Sequence, residues 1–230
     1  EPWHLFTGLT WPVRAVLYVG DNLFAAGIGG IYRWEGGTSW QRIYGDDQLL
    51  GTTLEPFSDG FLANVVAGDA ERDYAAQVLF FDEKGETWQA LDPYTYGIPH
   101  SAFDLLVTPF GIVQVNNEGV YVHSLDLDRA GWTWLGTPAQ PIYGAVYAFD
   151  SLWVATVSGV WRLPDGAGPY DWERQPVPYE FTTTLYWDEL TKCILAPDRS
   201  ELWAYDGNTW QPVSYTHLRA HETRHDLVCR

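Results

Sequence analysis

Apolar residues along the chain fall in short runs of four to six, alternating or continuous, and each run is cut by Gly, Asp or Asn. That spacing predicts strands and turns rather than amphipathic helices. The runs recur in a fixed order. A strand is expected at each of 30–34, 77–81, 119–123, 159–163 and 201–205, and in four of the five repeats another begins seven residues earlier, at Leu23, Ile112, Leu152 and Ile194. A preceding strand is clearest at 13–18, 103–107, 143–148 and 183–187. After each third strand comes a tryptophan, Trp40, Trp88, Trp134, Trp172 or Trp210, at separations of 48, 46, 38 and 38 residues, which opens a fourth.

Four short strands in about 40 residues, joined by turn formers such as Gly20, Asp21 and Asn22 or Asp206, Gly207 and Asn208, match a propeller blade in length and content. One such sheet cannot bury both faces, whereas blades stacked side by side can. The expected fold class is therefore all-β, a β-propeller with five visible four-stranded blades near 12–45, 50–92, 101–137, 141–177 and 181–212. A β-sandwich is the rival, but it has no need of a tryptophan repeated at one place. Residues 1–11 carry Trp3 in a pattern resembling a further outer strand, and the chain has no Met. Those two features suggest part of a ring of five or more blades. The five repeat tryptophans are expected to form a structural column, with Trp40, Trp88, Trp134 and Trp172 largely buried.

Composition adds limits. A formal charge of −17 with 13 Lys and Arg argues against nucleic acid and anionic membrane surfaces, since both need clustered cations. No apolar run reaches the length of a membrane-spanning helix, so membrane insertion is not expected. Cys193 sits in an apolar strand pattern and reads as an inert buried thiol. Acidity, scarce cysteine and abundant aromatic residues lean toward an extracytoplasmic or secreted protein, acting as a monomer.

The turns before the tryptophans carry a resemblance. Glu83, Gly85, Thr87 and Trp88, and Glu35, Gly37, Ser39 and Trp40, are similar to the Asp-box, Ser-x-Asp-x-Gly-x-Thr-Trp, of sialidase-like propellers. The turns at Trp134 and Trp210 keep only the second half of that pattern, and the turn at Trp172 keeps only the Trp. Glu stands at the family's Asp, and Phe81 and Arg33 stand at its Ser. The resemblance implies the fold and a turn between third and fourth strands that lies away from the ligand; it implies no catalysis. A sialidase would also need an arginine cluster, yet Arg33, Arg162 and Arg174 fall in or beside outer strands. From Val213 onward the chain resembles translated sequencing-adapter DNA. Residues 213–230 are therefore read as a non-native tail, and its His217, His221 and His225, spaced four apart, are not taken as a metal site.

Function is sought in the loops that join blades and in an insertion in the second repeat. Arg72, Asp73, Tyr94, Tyr96, His100, Tyr143, Tyr179 and Glu180 are expected to open onto one face. Tyrosine offers an apolar ring with a polar tip and carboxylates accept hydroxyl hydrogen bonds, a combination suited to a protein or glycan ligand. No nucleophile motif accompanies His100, and no cofactor or metal is expected; Asp126 and Asp128 read as an exposed turn. The leading expectation is a non-catalytic binding or scaffold propeller, and the alternative is a carbohydrate-active enzyme of sialidase-like or five-bladed glycosidase kind. The two differ in whether carboxylates converge.

Overall fold

The computed structural model describes residues 12–67, 76–91, 102–116, 119–129, 131–177, 182, 184–197 and 201–213. These residues form twenty strands and no helix. Blade 1 holds β1 (Val13–Val19), β2 (Asn22–Gly27), β3 (Gly30–Gly36) and β4 (Ser39–Tyr44); blade 2 holds β5 (Leu49–Phe57), β6 (Gly60–Ala67), β7 (Ala76–Asp82) and β8 (Trp88–Leu91). Blade 3 holds β9 (Ala102–Thr108), β10 (Gly111–Asn116), β11 (Gly119–His123) and β12 (Trp132–Gly136). Blade 4 holds β13 (Ile142–Ala148), β14 (Ser151–Thr156), β15 (Gly159–Pro164) and β16 (Glu173–Arg174); blade 5 holds β17 (Tyr186–Asp188), β18 (Cys193–Pro197), β19 (Leu202–Tyr205) and β20 (Trp210–Pro212). Each blade is a separate four-stranded meander in chain order. The protein is an all-β propeller of five visible four-stranded blades, as the repeat predicts. Residues 1–11 and the tail beyond Val213 lie outside the described residues.

Turn chemistry explains the spacing. Gly30 opens β3 at φ +112°, and a Cβ there would sit 2.1 Å from the Tyr44 carbonyl oxygen at the end of β4. Only glycine permits that approach. In blade 2 the turn before Trp88 is organised by Asp82, one residue before the glutamate that the Asp-box alignment marks. Its Oδ1 accepts from the Lys84 and Glu86 amides at 3.1 and 2.9 Å, and its Oδ2 accepts from the Thr87 amide at 3.1 Å and the Thr87 hydroxyl at 2.5 Å. In blade 5 Asp206 Oδ1 likewise accepts from the Asn208 and Thr209 amides, both at 2.9 Å. At Asp82 desolvation is the largest single influence and pushes the carboxyl up, but the hydrogen bonds together outweigh it and hold the group below the usual carboxylate range; at Asp206 the amide hydrogen bonds lead, with the same result.

Two compact units divide the chain, one holding Glu1–Ile142 and Gly168–Tyr170, the other Tyr143–Ala167 and Asp171–Arg230. In the first, Phe24, Ala26 and Ile31 of blade 1 pack on Leu54, Phe61, Ala63 and Phe81 of blade 2. Leu62 and Val78, on the opposite face of blade 2, pack on Leu105 and Ile112 of blade 3. In the second unit, Val146, Trp153 and Ala155 of blade 4 pack on Leu185, Ile194 and Ala196 of blade 5. Alternate side chains of a strand point to opposite faces, so β6 serves the seam with blade 1 through Phe61 and Ala63 and the seam with blade 3 through Leu62.

The tryptophan column is corrected in two respects. Trp40, Trp88 and Trp210 face aromatic residues at or near the ends of their third strands, Trp34, Phe81 and Tyr205. In blade 3 that register belongs to Trp132, which faces His123, whereas Trp134 faces Tyr121. Trp172 precedes β16, next to Glu173, which pairs with Arg162. Burial also differs from expectation. Trp88 is 51% and Trp134 39% exposed, and Trp40, Trp172 and Trp210 are half-buried. The physical reason is position: the fourth strand is a blade's outer edge, so a ring there covers the seam with one face and meets solvent with the other. Among the described residues the tryptophan with no exposure is Trp153, on the second strand of blade 4. Cys193 is likewise half-exposed rather than buried.

Candidate functional site

Of the loop-face residues, Arg72, Asp73, Tyr94, Tyr96, His100, Tyr179 and Glu180 lie outside the described residues. Tyr143 is described and is half-buried near the start of β13. Two blade-joining segments are described in full, those between β4 and β5 and between β12 and β13, and the groups of the first are engaged locally. Tyr44 packs edge-on against Phe81 and Trp88, with centroids 5.9 and 4.9 Å away, and donates its hydroxyl to Gln77 Oε1 at 3.2 Å. Asp47 pairs with Arg42 at 2.7 Å, and Asp46 accepts from the Gln48 amide. At the Asp126 turn, Asp126 Oδ1 accepts from the Asp128 amide at 3.2 Å, and its other oxygen lies 3.7 Å from Arg129.

A cleft of about 340 Å³ opens within the second unit, between the end of blade 4 and the outer half of blade 5. Trp203, Tyr205 and Trp210 supply its aromatic wall, and Gln175, Pro176, Asn208 and Thr209 its rim. Each is placed by local geometry. Trp203 and Tyr205 alternate on β19 and so share one face. Trp210 opens β20 opposite Tyr205, and their rings lie 5.1 Å apart at 35°. Behind them stands the buried Trp153, 4.9 Å from Tyr205 and 6.4 Å from Trp210, which fixes the wall against the core. The Asp206 turn holds Asn208 and Thr209 at the rim, and Gly207 adopts φ +97° with its α-carbon against Phe149, where a Cβ would come within 2.9 Å of the ring. Gln175 is anchored through its backbone amide to the Val160 carbonyl at 2.9 Å. Among the described residues, no acid or base lines the cleft. The chemistry on offer is aromatic surface edged by amide and hydroxyl groups, which is recognition chemistry. Trp210 entered the sequence reading only as a repeat marker. The alternation of Trp203 and Tyr205 was the signal that could have found the wall.

A second constellation lies in the first unit, in the seam between blades 2 and 3. Glu55, near the end of β5, is held by burial and then by the nearby negative charge of Asp104 on β9, which together push its carboxyl up to about 7. In the same seam the Asn64 amide donates to Thr52 Oγ1 at 2.8 Å, and Gln114, fully buried, reaches Asn64 Oδ1 at 3.5 Å. A glutamate between Leu54 and Pro56, inside an apolar strand run, was the available sequence signal for Glu55.

No family model and no curated protein matches this chain. Solved structures do. The chain superposes on the extracellular domain of BT4673 from B. thetaiotaomicron, assigned there to a one component system, with a TM-score of 0.67 at 14% identity over 90% of this chain and 28% of that one. An ancestral GH74 enzyme aligns with a TM-score of 0.66 at 14% identity, over 92% of this chain and 33% of that one. A structure described as a gluconolactonase aligns at 0.58 and 14%, over 88% of this chain and 76% of that one. The chain thus spans about a third or less of the first two proteins' length, and at this identity the likeness shows the propeller fold. Propellers of this kind include binding domains and enzymes. Among the described residues no helix is long and apolar enough to cross a membrane.

Proposed function

We propose that the protein is a non-catalytic, ligand-binding propeller that recognises a protein or a glycan. The observation that carries this reading is the aromatic cleft beside β19 and β20, built on the buried Trp153 and lined without an acid or base. A catalytic site needs groups that move protons or attack bonds; a recognition site needs apolar surface with a few fixed polar groups. The sequence-derived loop face, with Tyr94, Tyr96 and His100 at its centre, is kept as a second contact surface of the same binding protein. An extracytoplasmic location and a monomeric state accompany the proposal; the first is supported by the extracellular BT4673 domain among the structures of similar fold. The Asp-box resemblance is supported by the carboxylate-capped turns at Asp82 and Asp206, and it bears on how the blades are built.

Screening on glycan arrays and peptide libraries, followed by pull-down, tests this. Wild type should bind, and Asn208→Ala, an exposed change at the cleft rim, or the Tyr94→Ala, Tyr96→Ala pair should lose at least tenfold in affinity with unchanged thermal unfolding. Absence of binding to every class, or binding that both variants retain, overturns the reading.

A second reading, a carbohydrate-active enzyme, is favoured by Glu55, whose carboxyl is raised to about 7 by burial and by the negative charge of Asp104, as the acid of a glycosidase pair is raised. Hydrolysis of a chromogenic glycoside by wild type and its loss in Glu55→Gln would establish that reading in place of the first.

A further inference from the structure

We infer that the blade 5 cleft takes an uncharged saccharide, a mono- or disaccharide unit of a neutral glycan. This inference rests on the binding reading above and names the ligand for that site.

Three features of the site point to this class. The first is shape. A volume of about 340 Å³ lies at the small end of ligand pockets, the scale of one or two sugar rings. Trp203, Tyr205 and Trp210 give the wall aromatic surface, with the Tyr205 and Trp210 rings 5.1 Å apart and tilted by 35°. The C–H face of a pyranose lies flat on such a surface, its weakly positive hydrogens over the negative ring faces.

The second is the rim. Asn208 and Gln175 carry amides that both donate and accept, and Thr209 adds a hydroxyl. Neighbouring sugar hydroxyls also donate and accept, so a neutral polar rim satisfies them without the desolvation cost of an ion. Asn208 is exposed, and the bond that holds it in place runs from its backbone amide to Asp206, which leaves the side chain to face a ligand.

The third is charge. No cation lines the cleft among the described residues, while Asp206, its carboxyl lowered by the amides of its own turn, stands beside the rim residues Asn208 and Thr209 on a chain of formal charge −17. Sialylated, uronic or sulfated sugars would be repelled there. A peptide docked as an added strand fits poorly. The outer strands beside the cleft are two and three residues long; Pro176 lies two residues beyond β16, and Pro212 ends β20. Proline lacks the donor that strand addition requires.

The test is titration calorimetry of the full chain against a panel of neutral mono- and disaccharides, matched sialylated and uronic sugars, and a peptide pool, with wild type and the Gln175→Ala, Asn208→Ala pair. Both substitutions are at the rim and remove no buried ring, and a thermal melt run alongside checks the fold. Binding of at least one neutral sugar, with a tenfold or greater loss in the rim variant at unchanged melting temperature, is the expected result. Tighter binding of the anionic sugars, neutral binding indifferent to the rim variant, or peptide binding with no sugar binding would overturn the inference. In the peptide case the wider binding reading stands; silence across the whole panel counts against both.

Discussion

The middle strands of blades 2 and 5 occupy the same place in their sheets and meet different surroundings. Along β6, Gly60 to Val66 are all buried: Phe61, Ala63 and Val65 go to the seam with blade 1, and Leu62 goes to the seam with blade 3. Along β18 the pattern alternates, with Ile194 and Ala196 buried against blade 4 while Cys193, Leu195 and Pro197 are half-exposed. Tyr186, level with Leu195 on the same sheet, is 58% exposed. Both strands are apolar on both faces. A strand's residues thus set what it is able to bury, and the neighbouring blade sets what it does bury.

Acids follow the same contrast. Glu55, in the closed seam of blade 2, is raised to about 7, whereas Asp206 and Glu189, in open turns of blade 5, are lowered, the latter chiefly by a hydrogen bond from Lys192. A closed seam removes water and penalises charge; an open turn keeps water and adds donors.

The largest expected effect lies in the closed seam. Phe61 has no exposure, stacks on Phe81 at 5.0 Å and lies 4.4 Å from Phe24. Phe61→Ala should cost about 3–5 kcal/mol, from lost burial and the cavity left behind. Denaturant unfolding measures it, and a loss under about 1 kcal/mol would mean that the seam is not closed in solution.

Next in size is a pH effect carried by Glu55. Because its folded pKa lies above the usual value of 4.5, the native state binds the proton more tightly than the unfolded chain. Stability from this group is fully present below about pH 4.5 and is lost as pH rises through about 7, a decline of about 2–3 kcal/mol. Asp82 and Asp206 act in the opposite sense, since their lowered values add stability that disappears only as pH falls through the acid range. Thermal melts from pH 5 to 8 should show wild type weakening with rising pH and Glu55→Gln flat. Parallel curves for the two proteins would place Glu55 in water.

The smallest effect is expected on the open side of blade 5. Leu195→Ala should cost less than Phe61→Ala, about 1–2 kcal/mol, because its side chain is smaller and already partly in solvent. A cost as large as that at Phe61, read from the same unfolding curves, would show that something covers this face in solution and would erase the contrast between the two blades.

Strand order, the four-strand period and the turns were legible in the sequence because each is a local matter. The alternation of residues along β19 and the Asp206 turn act within a few positions, and a repeat displays such patterns again and again. The register of the outer tryptophan was not legible in blade 3: Trp132 and Trp134 sit two apart on one strand, and only the pairing with His123 tells them apart. Nor was the exposure of these rings, which depends on where the edge strand sits and not on hydrophobicity. The candidate site divides in the same way. Aromatic residues at 203, 205 and 210 are visible in the chain. Their assembly into one wall depends on Trp153 of blade 4, and their rim depends on Gln175, 33 positions before Asn208. The perturbation of Glu55 likewise needs β9 beside β5. The sequence by itself determined the strands, their turns and the apolar faces that each blade offers, because backbone sterics and side-chain alternation are properties of neighbouring residues. The tertiary structure alone decided which faces are covered, which acid is raised and where a cleft remains, because desolvation and packing arise between residues that only the fold brings together.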